Sequence, residues 1–375
     1  MKNIVLFIAL FVPMVLFGED ITSNSNLSIT KTWTQETNGW TYPMAVYVPT
    51  GSAPQGGFPV CILLHGNGGN GDGMLNQWKN ELTNHVLVAP SGYEKSWNIS
   101  TEKSDAPDVA MVSELIFKLQ SFSNVDSTKI RLLGMSNGAA LTNRMFVENK
   151  NTGVDIMCAV VSQLSESQYR NNQFYLPSGE TGGTDQYKGY DTPTVPLKGR
   201  RYLSVGNSND PVIPYTGGTS VGVNFIDAQL SIFQIAKSQG YGGAQLASAG
   251  VLVAGTSYEY SYLSKQVVHV KGDASHGVNF DQKKYIKDYF NLSLNISLRT
   301  ENLSESTSFY PNPTSGIFHL GTKVNSIEFY DSLGKIVLKA SNCNQVDLSG
   351  LDTGMYFFKC TENVNKVTTG SINKI

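Results

Sequence analysis

Charge is scarce in this sequence. Only 15% of its 375 residues are Asp, Glu, Lys or Arg, the formal net charge is −2 and the pI is about 6.2. Gripping nucleic acid takes clustered Lys and Arg that release counterions from phosphates, so nucleic acid is excluded as a partner. Cysteine is scarcer still. Cys61, Cys158, Cys343 and Cys360 are too few for a disulfide scaffold and form no C-x-x-C. Cys61 and Cys158 sit in apolar runs, where a free thiol behaves as a small hydrophobe, while pairing of Cys343 with Cys360 stays open. No H-E-x-x-H or comparable ligand spacing occurs, and no Gly-Lys-Ser/Thr, so neither a metal nor a cofactor is called for. A stable membrane span is missing as well. The apolar run from Ile4 to Phe17 is shorter than the ~20 residues that a spanning helix needs. Behind Met1-Lys2-Asn3 and ahead of Gly18 it reads as a secretory signal peptide over 1–18.

What the chain does have is apolar residues (40%), with 36 Gly and 14 Pro, the composition of a packed globular protein with ordered loops. Its length suits a catalytic core with an accessory module. Thr30 to Pro49 reads as two strands about a turn at Asn38-Gly39. Short apolar strands follow at Pro59–Leu64, Val86–Ala89, Ile130–Leu133, Met157–Val161, Tyr202–Val205 and Val267–Val270. They alternate with helical patterns, clearest from Pro107 to Phe122. This is the pattern of an α/β domain over 19–293, a mostly parallel central sheet with helices on both faces. Tyr169 to Arg200 breaks the rhythm and reads as a long substrate-facing excursion. Residues 294–307 are polar and read as a linker. Residues 308–375 alternate with Asn and Gly turns, as in a small all-β sandwich domain.

Ile130-Arg131-Leu132-Leu133 runs into Gly134-Met135-Ser136-Asn137-Gly138, a G-x-S-x-G between a strand and a helix. In that context the two glycines permit a sharp turn that exposes the hydroxyl of Ser136 at the sheet edge. A serine needs a base. Of five histidines, His276 follows the last core strand on a loop, whereas His85 and His269 read as core or strand-face residues. The carboxylate belongs between Ser and His in the chain. Asp210 follows the strand ending near Val205, ahead of the competitors Asp185, Asp191 and Asp227 for that reason. Leu63-Leu64-His65-Gly66-Asn67-Gly68 supplies one backbone donor of an oxyanion hole and Asn137 the other. Gly66, Gly68 and Gly71 also spell a dinucleotide fingerprint, but Ala89-Pro90-Ser91-Gly92 stands where the ribose-binding acid belongs.

Residues 40–290 resemble the polyhydroxybutyrate depolymerase and feruloyl or acetyl xylan esterase group of α/β-hydrolases. The likeness is carried by LLHGNGGNGDG, VAPSGYEKSWN, VDSTKIRLLGMSNGAALTNRM, NDPVIPYTGG and the loop around His276. The resemblance implies a serine carboxylic ester hydrolase with Ser136 as nucleophile, Asp210 as orienting acid and His276 as base. It also implies oxyanion donors at Asn67 and Asn137, and His65, Trp97 and Tyr215 at the substrate. Where that group often has His-Gly before the aspartate and Trp-Pro after the histidine, this chain has Val205-Gly206 and Gly277-Val278. Tyr310-Pro311-Asn312-Pro313-Thr314 and Leu348-Ser349-Gly350-Leu351-Asp352-Thr353-Gly354-Met355-Tyr356 resemble the sorting domain of the type IX secretion system of Bacteroidetes. That resemblance implies the type IX machinery as a partner and an extracellular or cell-surface location outside a Gram-negative bacterium. The expected substrate is an ester, polymeric in the polyhydroxyalkanoate and plant-polysaccharide cases. A peptidase of the same fold and a non-catalytic binding protein are the alternatives.

Overall fold

The computed structural model describes residues 18–179, 185–247, 249–292, 309–310, 313–331, 335–363 and 366–375. Positions 1–17 of the leader and the linker at 294–307 lie outside the described residues. The chain divides into two compact units at Leu292/Ser293.

In the first unit the hairpin β1 (Thr30–Trp33) and β2 (Glu36–Thr41) stands apart from the main sheet. Its turn falls at Thr34-Gln35, not at Asn38-Gly39. Gly39 lies inside β2 with φ +88°, and the strand pairing shifts beside it, so the glycine serves a bulge instead of the turn. There follow β3 (Met44–Tyr47), β4 (Phe58–Leu64), α1 (Gly71–Trp78), β5 (Val86–Pro90), α2 (Asp108–Gln120), β6 (Val125–Met135), α3 (Asn137–Glu148) and β7 (Val154–Val160). The excursion then folds into its own antiparallel sheet of β8 (Tyr169–Arg170), β9 (Gln173–Pro177) and β10 (Tyr190–Thr194). The remainder is β11 (Arg201–Asn207), the hairpin β12 (Gly218–Ser220) and β13 (Val223–Phe225), α4 (Ala228–Ser238), β14 (Val251–Ala254), β15 (Ser257–Tyr262), β16 (Val267–Gly272) and α5 (Phe280–Asn291).

Nine strands form the main sheet in the order β14-β15-β16-β11-β7-β6-β4-β5-β3. From β16 to β5 all six are parallel, and β14, β15 and β3 add antiparallel edges. Apolar residues fill both faces because successive side chains point to opposite sides. Val60, Ile62 and Leu64 pack with α2, α3 and α4, whereas Cys61 and Leu63 pack with α1 and α5. After β4 the chain places β5 on one side and β6 on the other. The carboxyl ends of β4 and β6 therefore flank a topological switch point, where open α/β sheets leave a crevice.

The second unit joins β17 (Phe309–Tyr310), β18 (Ile317–Tyr330), β19 (Ile336–Asp347), β20 (Gly354–Asn363) and β21 (Lys366–Lys374) in one antiparallel sheet around Phe318, Ile327, Phe329, Phe358 and Ile372. Cys343 on β19 and Cys360 on β20 lie on opposite sides of β18. Two strand spacings, about 9–10 Å, exceed what a disulfide spans, and the two do not pair with each other.

Candidate active site

Ser136 sits between the end of β6 and the first residue of α3, with φ 54° and ψ −117°. A non-glycine residue avoids this region because its Cβ crowds the backbone, and such strain persists only when the surroundings enforce it. The glycines do so by close approach. A Cβ on Gly134 would lie 2.0 Å from the Gly138 carbonyl oxygen, and one on Gly138 would lie 2.1 Å from that of Leu64. The turn is thus wedged between β4 and α3 with no room for a side chain on either flank. The Ser136 N–H donates to the Val160 carbonyl at 2.9 Å, which ties the elbow to β7.

The loops after β6, β11 and β16 bring Ser136, Asp210 and His276 together. The Ser136 hydroxyl donates to His276 Nε2 at 2.8 Å, and His276 Nδ1–H donates to Asp210 at 2.8 Å (Oδ2) and 3.0 Å (Oδ1). Asp210 Oδ1 also accepts from the backbone N–H groups of Val212 and Ile213, at 2.8 and 3.0 Å. The Asp210 side chain is 2% exposed and that of His276 22%. A carboxylate held by three donors in a dry place fixes the imidazole tautomer and its aim. Asp227 instead caps α4, Asp191 binds Ser178 and Asp185 binds the backbone of Tyr187 and Gly189.

Two residues missed by sequence reasoning hold the His276 loop. Buried Asn207 donates to the carbonyls of Ser275 (2.7 Å) and Gly277 (2.9 Å) and accepts from Gln282. Asn209 donates to the Asp273 carbonyl and accepts from the Ser275 N–H. The two asparagines flank His276 from both sides along the chain. Their one visible signal was two amide side chains at the end of a buried strand, just before the aspartate.

A cavity of about 820 Å3 opens over the serine, lined by Ser136, His276, Asn67 and Asn137 among others. Among the described residues, the backbone N–H groups of Asn67 and Asn137 have no protein partner. A Cβ on Gly66 would lie 3.4 Å from Ser136 Cβ, so the loop after β4 lies directly beside Ser136. One wall is apolar, with Val212, Ile213, Val221, Val223 and Phe225. The lining also carries the charged residues Glu94, Lys95, Glu102 and Lys103. The wall hairpin bonds to the loop of Asp210, because the Ser220 hydroxyl donates to the Val212 carbonyl at 2.6 Å.

The structure does not bring His65, Trp97 or Tyr215 to the cavity wall. Trp97 is fully buried, with its ring centroid 4.8 Å from that of His65. His65 is enclosed as well. Its Nδ1–H donates to the Gly66 carbonyl and its Nε2 accepts from the Gly92 N–H, and burial holds its pKa below the ordinary histidine value. The Tyr215 hydroxyl donates to His269 Nε2 and accepts from Gln229. None of the described residues of the 169–200 excursion lines the cavity either. Tyr190 acts from behind, donating its hydroxyl to the carbonyl of the wall residue Ile99 at 2.8 Å. Among the described residues no group of three or more His, Cys, Asp or Glu could hold a metal ion, and no helix is long and apolar enough to cross a membrane.

Residues 308–374 match the family described as Secretion system C-terminal sorting domain. No curated protein matches the chain. Among solved structures it is similar to an acetyl xylan esterase from Aspergillus awamori (17% identity, 70% of this chain and 98% of that one, TM-score 0.46). It is also similar to a carboxylesterase from Bacillus cereus (12%, 67% and 93%, TM-score 0.41). A third is a poly(3-hydroxybutyrate) depolymerase from Bordetella parapertussis (17%, 46% and 62%, TM-score 0.34). The parallel sheet and the strand-elbow-helix at Ser136 make the first unit an α/β fold, and the separate all-β tail is similar to the secretion system C-terminal sorting domain family.

Proposed function

We propose that the protein is an exported serine ester hydrolase that works through an acyl-enzyme on Ser136. The observation that carries this reading is the unbroken chain of hydrogen bonds from Ser136 through His276 to Asp210. In the reaction His276 takes the serine proton as Oγ attacks the ester carbonyl, and the N–H groups of Asn67 and Asn137 receive the oxyanion. The His276 imidazolium, held by Asp210, then protonates the departing alkoxide. Water, deprotonated by the same imidazole, releases the acid.

The cavity supports an ester with two unlike ends. Val212, Ile213, Val221, Val223 and Phe225 suit an apolar acyl part, and the charged residues Glu94, Lys95 and Lys103 suit a hydroxylated or polymeric alcohol part. Polyhydroxyalkanoates and feruloyl or acetyl esters of plant polysaccharide are the substrates to test first. The tail is the ground for the second half of the proposal, delivery by the type IX machinery to the cell surface or beyond. Ser136→Ala should abolish hydrolysis of 4-nitrophenyl butyrate while leaving the melting temperature within a few degrees. Retained turnover in that variant overturns the reading, and faster cleavage of a matched anilide than of the ester would make the protein a peptidase.

A further inference from the structure

Two separate loops must present their amides to one oxygen atom, and the elbow alone does not set the distance between them. The segment from Gly92 to Trp97 touches both. Towards the loop after β4, the Gly92 N–H donates to His65 Nε2 at 2.9 Å, the Trp97 indole N–H donates to the His65 carbonyl at 2.8 Å, and the Lys95 carbonyl accepts from the Gly68 N–H at 2.8 Å. Towards the elbow, the Trp97 backbone N–H donates to Asn137 Oδ1 at 2.7 Å, and Asn137 Nδ2 donates back to the Trp97 carbonyl at 3.1 Å. Glu102 closes the frame. Its Oε1 accepts from Asn137 Nδ2 at 3.1 Å, and its Oε2 accepts from the N–H groups of Ile99 and Ser100 at 3.1 and 2.6 Å.

The segment carries marks of enforced geometry. Glu94 and Lys95 both have left-handed φ, at 51° and 57°, and the second of these strained residues offers the carbonyl that holds Gly68. A Cβ on Gly92 would lie 2.1 Å from the Ser96 carbonyl oxygen, so the segment closes tightly on itself. Strain of this kind is kept where the surroundings over-determine it.

We propose that Trp97 is a positioning residue for the oxyanion hole. By bonding through its indole to His65 and through its backbone to Asn137, it sets the separation of the Asn67 and Asn137 amides. The inference rests on the ester-hydrolase reading of Ser136. Its energetic basis is that oxyanion donors work only within about 2.7–3.1 Å of the developing charge, and that losing one costs about 10²–10³ in turnover. A donor shifted by a fraction of an ångström loses part of that, and the loss falls on the transition state and not on the bound ester.

The test uses the full chain and four proteins: wild type, Ser136→Ala, Trp97→Phe and Glu102→Gln. Phe keeps most of the buried ring and removes the indole N–H. Gln at 102 still accepts from Ile99 and Ser100 but turns an NH2 group onto the NH2 of Asn137. Readouts are kcat and KM on 4-nitrophenyl butyrate, inhibition by phenylboronic acid, and thermal melts. Boronate inhibition is informative because Ser136 Oγ adds to boron as its proton passes to His276, leaving a tetrahedral anion in the oxyanion hole. Trp97→Phe should lower kcat at least about tenfold with KM within twofold, and weaken boronate inhibition by a similar factor. Glu102→Gln should do the same to a smaller extent at the wild-type melting temperature, and it decides alone if Trp97→Phe does not fold. An active wild type with unchanged kcat in the folded variants, or with KM alone altered, overturns the inference and leaves the hydrolase reading standing. A wild type whose turnover survives Ser136→Ala overturns both.

Discussion

Single residues at this site act mainly by filling hydrogen-bonding roles that no neighbour can take over. Asn207 is the clearest case. It is buried beneath the His276 loop, and its amide binds two carbonyls of that loop and one glutamine. Replacing it with Ala leaves the buried Gln282 amide short of an acceptor, at a cost of about 1–3 kcal/mol, and frees the loop that aims the imidazole. Asn207→Ala should therefore lower the melting temperature by several degrees and cut kcat about tenfold or more with a small change in KM, measured on the same nitrophenyl ester; wild-type kcat would refute the positioning role. The three residues that meet at the sheet edge were legible in the sequence as neighbours, because an elbow is a local pattern and Asp210 and His276 each follow a recognisable strand. Asn207 and Asn209 were not, since their partners lie more than 60 residues away and nothing local distinguishes a pinning asparagine from one in a turn. Trp97 shows the opposite failure. Its nearness to the site could be read from resemblance, but its direction, inward to His65 and not outward to the cavity, depends on how two loops pack.

Among the elements, the β12–β13 hairpin lines the cavity while standing outside the main sheet. Ser220 pairs with Val223 across a two-residue turn of Val221 and Gly222, both with positive φ, at 47° and 77°. This is a turn that Asn-Gly fills readily and a β-branched residue fills badly. Val221 is also 62% exposed and lines the cavity, so an apolar surface is retained there against backbone preference. Val221→Asn should raise stability by about 0.5–1 kcal/mol by relieving the turn. It should also raise KM for butyrate and cinnamate esters more than for acetate. A stability gain with no shift in ester preference would mean that the hairpin tip does not touch substrate. The six parallel strands were readable as short apolar runs because both faces of the sheet are covered. The edge strands β14 and β15 and the three-strand sheet of the excursion were not. β14 is apolar (Val251–Ala254) but largely exposed, and β8, β9, β10 and β15 mix polar with apolar residues, so none shows the buried apolar run of a central strand, and pairing with neighbours leaves little trace in sequence.

At the scale of the whole molecule, three buried titratable groups outside the Ser136, His276 and Asp210 cluster tie stability to pH. His85 and His269 are enclosed and their pKa values are pushed down to about 3, by burial first and by Arg131 and Lys271 second. Unfolded, each takes a proton near pH 6.5. Their contribution is present above pH 6.5 and is lost as pH falls towards 3. Asp108 works in the other direction. Burial raises its carboxyl to about 7, even though the Asn98 N–H, the Tyr42 hydroxyl and nearby Arg144 all favour the charged form. A raised acid binds its proton in the folded chain across pH 4–7, where the unfolded chain has released it. Its contribution is therefore full below about pH 4 and is lost as pH rises through 7. Asn fits the position without a titrating proton, since its carbonyl can accept from Asn98 and its NH2 can donate to the Tyr42 oxygen. Melts of wild type and Asp108→Asn from pH 4 to 8 should then diverge. The variant gains on the wild type steadily up to about pH 7 and by a constant margin beyond, while both lose stability towards acid because His85 and His269 still titrate in the unfolded chain. A difference between the two that does not change with pH would show that Asp108 is ionised in the folded protein, with its two donors and Arg144 outweighing its burial.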